Sequence, residues 1–113
     1  MTMTTQAIDN IHSVEDIMIA NKNVKQFFFS PATMRFFKSR VLDGIYKIPS
    51  EDLVLFVTSE KGLTDVREYC VRSFDVHTSY CDALIDHRYS TAREAKRDAK
   101  KMSKNDSTSL DNL

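Results

Sequence analysis

"LVLFVTSEKGLTDVREYCVRSF", residues 53–74, decides the class of fold. Its first seven residues are a near-continuous apolar run, the pattern of a central strand covered on both faces. "EKGLTD" then reads as a loop. "VREYCVRSF" alternates, with Tyr69, Val71 and Ser73 on one face and Glu68, Cys70, Arg72 and Phe74 on the other, as a pleated strand requires. Downstream, "DVHTS" turns the chain back and "YCDALIDHRY" supplies a last strand. Upstream, "RVLDGIYKI" is β-branched and aromatic, with Gly44 at a bulge, and "PSED" turns it into the central strand. Four successive strands with short links predict an antiparallel meander.

Helices flank this block. Ser13 reads as an N-cap, with Glu15 and Asp16 in the first turn, where the helix dipole favours acids. Ile11, Val14, Ile17 and Met18 form one stripe, and the helix is expected to end near Asn21–Asn23. A second start lies at Ser30, with Pro31 at the first helical position and Phe29 and Met34 spaced as a hydrophobic staple. It predicts a short helix from Pro31 to about Ser39. Thr91 and Glu94 form a capping box opening "TAREAKRDAKKMSK", whose narrow stripe of Ala92, Ala95, Ala99 and Met102 permits close approach to a sheet. The expected fold is α+β: two short N-terminal helices, a four-stranded antiparallel sheet, and a C-terminal helix packed on one face. The expected organisation is a flexible start over 1–10, a single domain over 11–104, and a disordered tail over 105–113.

With 42% apolar and 28% charged residues in a chain of 113, the composition is that of one globular domain. "MTMTTQAIDN" has neither the basic nor the apolar region of a signal peptide, and no apolar run is long enough for a membrane span. A cytoplasmic location with reduced Cys70 and Cys81 is therefore expected. Net charge is zero but unevenly spread. Residues 22–47 carry six cations against one acid, 48–87 carry eight acids against three cations, and 88–104 carry seven cations against two acids. If the two basic blocks share a face, the molecule is strongly dipolar.

"QFFFSPATMRFFKSR", residues 26–40, concentrates five of the seven phenylalanines beside Arg35, Lys38 and Arg40. Most of this ring area is expected in the core, since burying one Phe is worth roughly 1.5–3 kcal/mol. Phe27, Phe28 and Phe29 cannot all point one way in an extended chain, so at least one ring is left to stack on a base or anchor a protein interface. Phe28, Arg35, Phe36, Lys38 and Arg40 are the candidate contacts here. Arg93, Lys96, Arg97, Lys100 and Lys101 are the candidates on the C-terminal helix, where the basic surface runs from Arg93 to Lys104. The plainer reading of that helix is a solvated face in which Glu94 and Asp98 pair with neighbouring cations at helical spacing. Cys70, His77, Cys81 and His87 are all legitimate zinc ligands, but their spacing matches no compact finger. Two glycines cannot build a phosphate-cradling loop, and neither G-x-S-x-G nor H-E-x-x-H occurs. No catalytic residue, metal or cofactor is assigned.

"FFFSPATMRFFKSRV", "LFVTSEKG" and "EYCVRSFD", followed by the helix opening "STAREAKRDAK", together resemble a family of small uncharacterised phage and plasmid proteins, also found in bacterial genomes. The shared pattern is an (F/D)-P-x-T-M-R-F-F-x-S-R start, then F-V-T-S-E, then V-R-x-F, over roughly residues 22–100. Ser30 replaces the more usual Asp before Pro31; both are good caps. Cys70 stands where Thr is expected. The resemblance implies a mobile-genetic-element origin and no catalytic residues. The expectation it leads to is a small non-catalytic protein that binds and occludes a host macromolecule, a host protein or ribonucleoprotein, in the manner of a counter-defence factor. The alternative is direct nucleic-acid binding through the same basic and aromatic residues.

Overall fold

A computed structural model of the chain describes residues 8–26, 29, 40–61 and 66–111, with backbone alone for 83–87 and 105–111. Helix α1 is Val14–Asn23. The strands are β1 (Arg40–Val41), β2 (Tyr46–Ile48), β3 (Leu53–Glu60), β4 (Glu68–Asp75) and β5 (Cys81–Tyr89), and helix α2 is Ala92–Asp111. All strand pairs are antiparallel. β3 is central: β1 and β2 share one of its edges, and β4 followed by β5 lies on the other.

The two faces of the sheet carry separate cores, and the alternation of β3 and β4 assigns each residue to one of them. Val54, Phe56 and Phe74 pack with Ile11, Val14 and Ile17 on the α1 side, joined by Val76 and Cys81. Leu55, Val57 and Val71 pack with Ala95 and Ala99 on the α2 side, where Ile48 closes the cluster. The molecule is thus a helix, a sheet and a helix in three layers, which explains the unbroken apolar run of β3. Phe29 lies against Phe56 with ring centroids 5.9 Å apart and planes tilted by 40°, consistent with the core role expected for it.

The sheet corrects the four-stranded expectation: the described residues form five strands. "RVLDGIYKI" is not one strand but two. Val41 pairs with Thr58 and Tyr46 with Leu55, so residues 42–45 stand opposite Phe56 and Val57 alone. The chain bows outward there, and Gly44 takes φ +110°, where a Cβ would also meet the Tyr46 hydroxyl at 3.0 Å. The surplus is two residues, an even number, so the inside–outside alternation continues across it. A second irregularity marks β5. Cys70 pairs with Arg88 and Arg72 with Ala83, leaving residues 84–87 opposite Val71.

The caps predicted at Ser13 and Thr91 are present. Ser13 Oγ accepts from the Asp16 N–H at 3.4 Å, and Asp16 accepts from the His12 N–H at 2.8 Å. Thr91 Oγ1 accepts from the Glu94 N–H at 3.1 Å and donates to the Glu94 carboxylate at 3.0 Å. The second N-terminal helix, expected over Pro31–Ser39, lies outside the described residues. Within the expected flexible start, Ile8–Asn10 form a single 3-10 turn. For the tail expected over 105–113, the structure gives helical backbone as far as Asp111. No Gly or Pro follows Lys104 to stop a helix that is already nucleated.

Hydrogen bonds tie α1 to the start of β5. Buried Asn21 donates to the Gln26 side-chain carbonyl at 2.6 Å and to the Ser79 carbonyl at 2.9 Å. The Gln26 amide then pairs with both backbone groups of Cys81, accepting at 2.8 Å and donating at 3.1 Å. A side-chain amide thus continues the hydrogen-bonding pattern of a strand edge.

Candidate functional site

Helix α2 is placed by its small residues. Ala95 and Ala99 have no exposed surface, and Met102 packs beside them. Two side-chain bonds fix the direction of crossing. The Tyr89 hydroxyl donates to Asp98 at 2.9 Å, and the Ser103 hydroxyl donates to the Lys47 carbonyl on β2. The helix therefore runs from the β5 corner of the sheet to the β2 edge.

With the alanines turned inward, the cations are turned out. Arg93, Arg97, Lys100, Lys101 and Lys104 are exposed and Lys96 is half-buried. Arg93, Arg97, Lys100 and Lys104 follow steps of four, three and four residues, which keeps them in one row on a helix. From first to last the row spans about 16 Å at the helical rise. Lys104 ends the basic surface, as the sequence led one to expect.

The two acids of this segment form no ion pair with the row. Glu94 is held by Thr91 at the cap, and Asp98 is held by Tyr89 beneath the helix. Burial and that bond push the Tyr89 phenol up to about 12. Among the described residues, no carboxylate lies within ion-pair distance of any of the six cations. The expectation that Glu94 and Asp98 pair with neighbouring bases is therefore corrected: the helix cap takes Glu94, and docking on the sheet takes Asp98.

The arginines of the sheet are treated differently. Arg72 meets Glu60 at 3.1 Å, with both side chains only 16% exposed, and its Nε donates to Thr58 at 3.2 Å. Arg88 meets Glu68 at 2.6 Å; the hydrogen bond to that carboxylate holds the guanidinium proton more tightly than usual. Arg67 donates to Ser59 at 2.8 Å. Arg67, Glu68 and Arg88 border a shallow cleft of about 230 Å³, with Val66, Tyr89 and Ser90 completing its lining. Its arginines already serve the sheet.

Arg40 is exposed and sits opposite Ser59. That register puts it on the α2 side of the sheet, so it shares a face with the helical cations. Phe28, Arg35, Phe36 and Lys38 lie outside the described residues. Six of the ten expected contact residues are thus placed, all on one side of the sheet.

Cys70 and Cys81 are buried free thiols. Burial raises both, Cys81 to about 12. Cys81 pairs with Phe74, four residues along β4 from Cys70, a separation of about 13 Å at the strand rise and beyond disulfide reach. His77 binds Asp52 at 2.6 Å at the exposed turn. Among the described residues, no three His, Cys, Asp or Glu side chains gather as a metal site, and no helix is long and apolar enough to cross a membrane.

Ammonium and guanidinium groups donate hydrogen bonds and accept none, so the α2 face suits phosphate or carboxylate oxygens. No curated protein and no solved structure matches the chain. A family model does match, from the cap of α1 to the middle of α2. It covers residues 13–100, and the chain belongs to that family of unknown function, DUF7447.

Proposed function

We propose that this is a non-catalytic binding protein that grips an anionic surface of a host macromolecule through the outer face of α2. The observation that carries the reading is the group of six cations on α2, four of them in one row, with Glu94 and Asp98 of the same segment bound elsewhere. A solvated helix without such a role gains a few tenths of a kcal/mol from each i,i+4 ion pair. This helix forgoes those pairs. Arg40 adds a further cation on the same side.

The origin of the protein in a phage or plasmid, and its action in the host cytoplasm as a counter-defence factor, belong to the same proposal. They rest on the resemblance of "MRFFKSR", "FVTSE" and "VRSF" to proteins of mobile elements. On this reading the protein acts by occlusion: it covers a surface on a host protein or ribonucleoprotein that other molecules need.

Affinity capture from a host lysate tests the proposal. The intact chain is expected to retain a host component that Arg97→Glu/Lys100→Glu releases, with the melting temperature of the variant unchanged. Equal capture by both proteins, or capture of nothing, contradicts it.

A further inference from the structure

We infer that the α2 row binds the phosphate backbone of duplex nucleic acid without reading its sequence. This rests on the reading of α2 as the contact surface and names the chemistry of what it contacts.

Three features of the row favour phosphate over a protein surface. First, the residue types are wrong for a protein hot spot. Such interfaces centre on buried Trp, Tyr, Phe or Met anchors and are depleted in Lys. Between Arg93 and Lys104 four of the six cations are lysines, and the one large apolar side chain, Met102, packs towards the sheet. Tyr46, Tyr69 and Tyr89 pack in the same cluster beneath the helix. Second, the spacing suits a regular line of charge. The row of about 16 Å runs alongside about five phosphates of one strand, at about 3.4 Å per phosphate along a duplex axis. Third, the segment has no Asn or Gln between Arg93 and Lys104 to pair with adenine edges. Flexible ammonium groups on phosphates position a protein without specifying a sequence.

The density of phosphate favours duplex over single strand. Single-strand binding draws much of its affinity from bases stacked on aromatic rings. Among the described residues, the most exposed aromatic is Tyr80, half-exposed beside the Ser79 carbonyl that Asn21 binds. It therefore lies at the α1 end of the fold, away from the row. A duplex, with one charge per about 1.7 Å of axis, offers the denser line of phosphate.

The experiment is fluorescence anisotropy of the full chain with labelled duplexes of mixed sequence, one of DNA and one of RNA, titrated with salt from about 50 to 200 mM. The expected result is binding to at least one duplex that is unchanged when its sequence is scrambled, with a log–log salt slope of about −4 to −5. The tighter of the two identifies the source of the phosphates. Lys100→Gln/Lys104→Gln is expected to reduce the slope by about two and the affinity by roughly tenfold or more. Lys22→Gln, on the opposite side of the sheet, is expected to change neither. Circular dichroism melting confirms that both variants are folded.

Binding to neither duplex at about 50 mM salt overturns the inference. So does equal affinity for a single strand of the same length, for polyglutamate, or for vesicles containing phosphatidylserine. Capture of a host component that survives nuclease treatment, without duplex binding, overturns this inference alone and leaves the proposed function standing. Loss of both removes the proposed function too.

Discussion

The two sides of the central sheet treat charge in opposite ways. On the α1 side, Arg72 lies in a largely buried pair with Glu60 and also binds Thr58, and the Arg88–Glu68 pair lies at the same end of the sheet. On the α2 side, Ala95 and Ala99 form the contact with the sheet and the cations of the helix face outward without partners among the described residues. The cause is where carboxylates can reach. Strand pairing sets Glu60 opposite Glu68, on the face that carries Arg72, whereas docking of α2 draws Asp98 under the helix to Tyr89. A chain with equal numbers of acids and bases thereby acquires a cationic face. Sequence totals do not report this; the division of charge between layers does.

The apolar core of the α1 side gives the largest expected effect. Phe56→Ala removes a fully buried ring in contact with Phe29 and is expected to cost about 3–5 kcal/mol in urea unfolding. A cost near that of a surface substitution breaks the three-layer account. Next in size is an alkaline effect. The fold raises the Cys81 thiol from 9.0 to about 12 and the Tyr89 phenol from 10.0 to about 12. Both protons are held more tightly by the fold than by the unfolded chain. The stability they contribute is complete below about pH 9 and is lost as pH rises toward 12. Melting temperature is expected to fall across that window, and Cys81→Ala to flatten its lower part; a profile flat from pH 8 to 11 contradicts it.

Smaller still is the Arg72 pair. Glu60→Ala leaves a guanidinium largely buried without its carboxylate and is expected to cost about 1.5–3 kcal/mol. A negligible loss places this pair with the solvent-screened surface bridges and blurs the contrast between the sides. The smallest effect sharpens it. Arg97→Gln or Lys100→Gln is expected to change stability by less than about 0.5 kcal/mol while weakening anion binding. A large loss of stability means that these side chains hold the fold together.

Local features of this architecture were legible in the sequence. Ser13 and Thr91 announced both described helices, the alternation of residues 68–74 assigned β4 residues to faces, and Ala95, Ala99 and Met102 of the expected stripe marked the surface that docks. These signals lie within a few residues of the structure they specify. Features that depend on distant partners were not legible. The split of residues 40–48 arises from register against β3, and nothing in "RVLDGIYKI" beyond Gly44 signals it. Gln26 meets the backbone of Cys81 across 55 positions. The candidate site divides the same way. Helical period placed Arg93, Lys96, Arg97, Lys100 and Lys101 on one helix. The Thr91–Glu94 capping box was legible too, whereas the occupation of Asp98 follows only from its contact with Tyr89 between helix and sheet.

The central claim, that the outer face of α2 is the contact surface, is tested most directly by amide NMR of the isotope-labelled chain titrated with heparin as a generic polyanion. The account predicts that the largest shift changes fall on residues 93–104, with a smaller change at Arg40. Changes centred on the Arg67–Arg88 cleft instead, or a spectrum that does not move, contradict it.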